Sequence, residues 1–157
     1  KNIKLNKLKN KKLYSQDVTL YAAEIAKSKK VRTLLKKYQK KFAKQNQVCI
    51  EGRDIGSIIC PKADIKLFFK CNLKVRARRR WNEYKKDKSK ITLSKVKKAL
   101  KIRDYLDTNR KHSPLRISKD SIVIDTSKLT KKQMLARISK IVEKRLFIKY
   151  GRNYKAR

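Results

Sequence analysis

The 157 residues carry 48 Lys and Arg against 12 Asp and Glu, for a formal charge of +36 at pH 7. That length predicts a single compact domain, and a hydrophobic content of 39 % suffices for a modest core. With no run of about 18 apolar residues, a helical membrane span is excluded, and no leader is expected, so the sequence reads as a cytoplasmic chain.

The charge suits a phosphate-rich partner, through counterion release, and suits equally well a surface filled with solvated lysine. Its distribution separates the two. Lysines are spread along every segment, whereas arginines bunch at Arg53, at Arg76 and Arg78 to Arg80, and at Arg103 and Arg110. Arginine is suited to planar, bidentate recognition of phosphate, so the arginines carry the functional signal. Cys49, Cys60 and Cys71 are odd in number and too far apart for a CxxC metal site, and His112 is the lone histidine. Buried free thiols and no protein-held metal are the expectation. The first residue is Lys rather than Met, which points to something upstream.

In chain order, residues 3–14 alternate weakly and predict a short hairpin. Ser15 can cap a helix with Asp17 at its positive end and Val18, Tyr21, Ala22 and Ile25 at helical spacing. A second helix carries Val31, Leu34, Leu35, Tyr38 and Phe42 on one stripe, with Arg32 off it. Val48, Cys49 and Ile50 read as a buried strand. The charged turn Glu51-Gly52-Arg53-Asp54 follows at what would be the carboxyl edge of a sheet, where open α/β folds bind ligands. Such an Arg–Asp pair can equally decorate a turn. Beyond an apolar stretch and Pro61, residues 65–69 predict a second strand buried on both faces.

Residues 73–86 predict a helix containing Arg76, Arg79 and Arg80 on one face. Thr92 can cap the next, with Leu93, Val96, Leu100 and Leu106 inward. On that helix Arg103, Asp107 and Arg110 fall at i, i+4 and i+7, the spacing of a phosphate and sugar site and also of a solvated salt-bridge ladder. Residues 121–125 predict a third buried strand. Thr130 and Gln133 form a capping box, and Met134, Ile138, Ile141 and Val142 give the last helix its inner face. Strands alternating with helices argue for an α/β fold with a parallel sheet. No triad, Cys–His pair or carboxylate dyad is present. Several guanidinium groups around a few carboxylates suit phosphoryl transfer, where positioning and charge neutralisation carry most of the chemistry.

The segments EGRDIGS, PKADIKLFF, VRARRRW, RDYLDTNR, SPL and SIVIDTS, with SQDV, Ala22-Ala23 and Val31-Arg32 upstream, together resemble bacterial cytidylate kinases. The resemblance runs from about Ile3 to the final helix. It implies a three-layer P-loop kinase fold around a parallel sheet, and an enzyme making CDP or dCDP from CMP or dCMP. It also implies ATP as phosphate donor, Mg2+ accompanying ATP, and a monomer. By the same resemblance Arg53 and Arg110 bind the monophosphate, Asp54 and Arg32 read the cytosine edge, and Asp107 holds the ribose or deoxyribose. Arg76, Arg79 and Arg80 are the catalytic candidates for the transferring phosphate. Residues 1–47 would be part of the nucleoside-monophosphate-binding insertion and its following helix. Residues 48–157 would supply core strands and helices, with a lid at about 74–92.

The chain departs from the family pattern in three ways. Ala23 stands where a serine would meet the cytosine amino group, and Tyr14 where an arginine would precede SQDV. The only glycines are Gly52, Gly56 and Gly151, so no GxxxxGK loop is present. The expectation is therefore an incomplete fold, without the first strand and phosphate loop, and a carboxyl-terminal fragment inactive alone. Rival readings are a basic RNA-binding protein, with non-specific nucleic-acid binding from the charge, and a UMP or AMP kinase.

Overall fold

The computed structural model describes residues 15–45 and 48–151. The hairpin expected over 3–14, and with it Tyr14, lies outside the described residues. Helix α1 (Gln16–Ile25) begins at Ser15, whose side chain accepts from the Val18 amide at 3.3 Å. Ser28 caps α2 (Lys29–Ala43) in the same way. A single π turn (Ile55–Ile59) follows Asp54 and leads to β1 (Leu67–Lys70). Helix α3 (Leu73–Lys86) is capped by Asn72, and α4 (Leu93–Asn109) by Thr92. β2 (Ile122–Asp125) precedes α5 (Lys131–Tyr150), where Thr130 and Gln133 form the reciprocal capping box expected of their spacing.

β1 and β2 run parallel in register, Leu67 opposite Ile122 and Lys70 opposite Asp125. Parallel strands need a long crossover, and α3 and α4 supply it, packed against each other and, through α4, against α1. The chain is thus a mixed helix–strand fold with a small parallel sheet. Its tightest packing is at Ile124, Ala77 and Val96, with Ile59 and Ala23 also buried. No helix among the described residues is long and apolar enough to cross a membrane.

Three expectations are corrected. Residues 48–50 form no strand: a strand is completed by a neighbouring ladder, and none of the described segments pairs with them. Cys49 is exposed rather than buried, and Cys60 and Cys71 are only partly covered. The two strands are not buried on both faces. Side chains alternate across a strand, and while Ile124 is fully covered, Val123 and Phe69 are open to solvent. The stripe of α2 forms at the expected spacing, yet Leu34, Leu35, Tyr38 and Phe42 are exposed among the described residues.

Candidate functional site

The charged turn is placed by its own local chemistry. Gly52 lacks a side chain where one would collide with Ile55, since a Cβ there would lie 2.7 Å from Ile55 Cγ1. Close approach, not unusual backbone rotation, requires the glycine. The π turn then closes on Asp54, whose carbonyl accepts from the amides of Ile58 at 2.8 Å and Ile59 at 3.3 Å. Wide turns of this kind re-aim neighbouring side chains and recur at functional sites. Asp54 itself is buried.

Five of the residues picked out by sequence converge here. Arg32, off the apolar stripe of α2, reaches the Asp54 carboxylate. Arg53 Nε donates to Asp107 Oδ2 at 2.9 Å. Arg110, the residue closing α4, lies 3.6 Å from Asp107 Oδ1 and 4.0 Å from Asp54 Oδ1. Its Nε donates to the Ser113 carbonyl at 2.6 Å. Ser113 takes a left-handed backbone, φ 53°, uncommon for a residue with a side chain. The segment after α4 folds back, with the Leu115 amide on the Asp107 carbonyl at 2.8 Å. Asp54 and Asp107 thus share Arg110, and each holds a second arginine.

Arg103 completes the group. Its Nε stands 3.9 Å from Asp107 Oδ2, within ion-pair range but too long for a hydrogen bond. Four arginines (32, 53, 103 and 110) therefore face two carboxylates, which leaves two positive charges uncompensated. Three of their nitrogens, Arg32 Nε, Arg103 Nε and Arg110 Nη2, are buried without a hydrogen-bond partner. Burial, and then the neighbouring guanidinium groups, lower the pKa of Arg103 (beside Arg53) and Arg110 (beside Arg32). Buried donors without partners are costly, by about 1–3 kcal/mol each, and a bound anion would relieve that cost.

The arginines of α3 have other partners. Both Nη atoms of Arg76 meet the Asp104 carboxylate, at 2.9 and 2.5 Å, and its Nε donates to the Cys71 carbonyl at 3.1 Å. The hydrogen bond to Asp104 raises the Arg76 pKa. Arg79 donates to the carbonyls of Thr126 at 2.7 Å and Leu129 at 2.9 Å. Arg80 bonds to Glu83 at 2.9 Å and lies over the Tyr84 ring. Arg80 and Arg103 line a small cleft of about 30 Å³, room for little more than one water, with Thr19, Leu20, Tyr84 and Val96. Arg103 is the member of the Asp107 group that this cleft brings beside Arg80.

The whole arrangement lies inside a stretch, residues 2–144, that matches the model of the cytidylate kinase family. The chain belongs to that family. Its sequence is 37 % identical over 155 residues to the cytidylate kinase of Fusobacterium nucleatum, covering 92 % of this chain and 71 % of that protein. Against the cytidylate kinase of Thermosipho melanesiensis it is 35 % identical over 129 residues, 82 % of this chain and 59 % of the relative. Against that of Clostridium tetani it is 38 % identical over 138 residues, covering 88 % and 59 %. The chain spans between 59 and 71 % of the length of these relatives.

The five residues to which the family resemblance gives a monophosphate site (Arg32, Arg53, Asp54, Asp107, Arg110) thus form one network. Arg80, from the catalytic set, faces the cleft, whereas Arg76 and Arg79 spend their forks on a carboxylate and on carbonyls. Ala23, the departure at the base, is buried on α1. Arg103, on the stripe with Asp107 and Arg110, joins the cluster as that spacing allowed. One participant escaped the sequence reading of the site. Asp104 carried no signal, because its partner lies 28 residues away on another helix. Among the described residues no group of three or more His, Cys, Asp and Glu is gathered as a metal site.

Proposed function

We propose that this member of the cytidylate kinase family phosphorylates CMP and dCMP to their diphosphates with ATP as donor. The observation that carries the reading is the cluster of four arginines around the buried Asp54 and Asp107, with Arg110 buried and Arg53 open to solvent, two positive charges in excess and three unpartnered guanidinium nitrogens. A phosphate monoester is close to doubly charged at neutral pH and presents several acceptor oxygens, which matches both the charge and the donors. Arg53, Arg103 and Arg110 take the phosphate. Asp107 accepts from a sugar hydroxyl. Asp54, held by Arg32, accepts from the exocyclic amino group of cytosine, a donor that uracil replaces with a carbonyl. The mixed fold with its parallel strand pair is part of a P-loop kinase architecture in this reading. Mg2+ carried on the phosphates of ATP would shield their charge.

The base and sugar are oriented by aspartates that are themselves fixed by arginine, so reorganisation on binding is small. On α3, Arg80 stands beside Arg103 of the cluster and is the arginine that would meet the charge developing on the phosphate in transfer. The test is calorimetric titration of CMP and UMP at physiological salt. Saturable CMP binding with UMP several-fold weaker supports the reading. An affinity for RNA that falls steeply with salt, with no CMP binding, would favour a polyanion-binding role instead.

A further inference from the structure

Helix α4 carries two sets of partners. On one side Arg103, Asp107 and Arg110 join the buried cluster. On the other, Asp104 takes both Nη atoms of Arg76 from the first turns of α3. A bidentate guanidinium–carboxylate pair fixes orientation as well as distance. The same guanidinium is held from behind by the Cys71 carbonyl, through its Nε. One turn further along α3, Arg79 is pinned to the carbonyls of Thr126 and Leu129, and the helix start is tied to Ser127 through the Asn72 amide at 2.8 Å. Residues 76, 79 and 80 share one face of the helix, so rotation of α3 that breaks the first contact carries Arg80 away from the cleft it lines with Arg103.

We propose that Asp104 is a positioning residue: by gripping Arg76 it registers the arginine helix α3 against the phosphate cluster carried by the same helix, α4. It touches no reacting atom. Its effect reaches the chemistry through Arg76 and the backbone of α3, which sets where Arg80 stands. This rests on the phosphotransfer reading above for its consequence in rate, while the mechanical part stands independently of it. A misplacement of about 1 Å can cost on the order of 10²-fold in rate, so the pair has leverage although both side chains are about one-third exposed.

The chain supplies its own reporter. Trp81, the single tryptophan, sits on α3 beside Arg80, with its indole N–H on the Ile91 carbonyl at 3.0 Å and Lys85 over its ring. Asp104→Asn keeps the shape and loses the charge-assisted fork, Asp104→Glu keeps the charge, and Arg76→Asp with Asp104→Arg exchanges the partners. In Asp104→Asn the full chain should show Trp81 more open to acrylamide quenching and amide exchange over residues 74–86 faster by about tenfold. The exchanged pair should return both towards the parent. Where CMP and ATP are turned over, kcat should fall by about 10- to 100-fold with the KM for CMP within about twofold, and Asp104→Glu should recover most of the rate. Unchanged quenching and exchange in Asp104→Asn overturns the proposal, whatever the activity. A KM for CMP that rises with kcat unchanged also overturns it and moves Asp104 into the substrate site. A parent chain that binds no CMP counts against the functional reading alone, and Trp81 then decides on the pair.

Discussion

Arg110 Nη2 stands 4.0 Å from Asp54 Oδ1, with both side chains almost wholly buried and no hydrogen bond closed between them. The two come from different parts of the chain, Asp54 from the turn before the π segment and Arg110 from the end of α4. Their spacing leaves attraction without saturation: the charges stabilise each other, while the guanidinium keeps a donor in hand. The proposed anion site would need such an arrangement to stay folded when empty.

Asp54→Ala removes the carboxylate shared by Arg32 and Arg110. The two cations are then left nearer to mutual repulsion, and on the proposed reading the base loses its acceptor. CMP affinity should fall by at least about tenfold, the equivalent of ~1.4 kcal/mol, and discrimination between CMP and UMP should shrink with it. Paired titrations with the two nucleotides check both. Equal losses for CMP and UMP would leave Asp54 as a scaffold for the arginines rather than a reader of the base.

Arg110→Lys keeps the charge and discards the fork. A lysine ammonium cannot serve Ser113, Asp107 and a phosphate oxygen together from one planar group. Binding of CMP should weaken by about tenfold or more, while cytidine, which lacks the phosphate, should be little affected. Comparing the two ligands separates loss of a phosphate contact from general loosening of the site.

Much of this was legible in the sequence, for identifiable reasons. Caps at Ser15, Thr92 and Thr130 act within one turn, so the residues that signal them are also those that make the contacts. The apolar stripe of α5 was readable from periodicity: Met134, Ile138, Ile141 and Val142, with Leu146, are its half-covered positions, but none of its residues is buried as a core face would be. Residue type alone singled out the arginines that gather on Asp54 and Asp107 from the many lysines. What failed was of longer range. Apolar, β-branched composition at residues 48–50 expresses a preference for strand, but pairing is decided by a neighbour elsewhere in the chain. Asp104 reads as one more acid on a charged helix until α3 is placed beside it. The left-handed Ser113, which turns its carbonyl to Arg110, has no glycine to announce it.

Lys66 is buried at the start of β1, with its ammonium on the Pro61 carbonyl and on Asp120 at 2.8 Å. The hydrogen bond from Lys66 is the largest cause of a lowered Asp120 pKa, with the charges of Lys66 and Arg145 adding to it. A carboxyl group whose folded pKa lies below its unfolded value adds stability above the unfolded value, about 3.9, and loses it as pH falls through the folded one. Asp120→Asn should therefore lower the melting temperature near neutral pH and narrow its gap to the parent on acidification towards about pH 3. Melting curves of both chains across that range test this. A gap of constant size would mean that the carboxylate charge contributes nothing at this pair.

Arg80→Ala addresses the transfer step. Unlike Arg76, gripped from another helix, Arg80 has its ion pair with Glu83, one turn along its own helix and largely exposed. Pairs of that kind are worth only about 0.3–0.5 kcal/mol, so exchanging the carboxylate for a phosphate oxygen costs little. Burial works against its charge, but the hydrogen bonds to Glu83 and Tyr84 outweigh it and raise the pKa, so the guanidinium is cationic throughout the working range. A contact that strengthens only as charge develops on the moving phosphate lowers the barrier without tightening the ground state. The variant should lose about 10²- to 10³-fold in kcat, below the largest arginine effects known for phosphoryl transfer, with the KM for CMP changed by less than about threefold. Steady-state kinetics with CMP varied at saturating ATP, and then the reverse, make the separation. A variant with parental kcat and a raised KM for ATP would assign Arg80 to holding the donor before reaction, and the transition-state role would pass to Arg103 across the cleft.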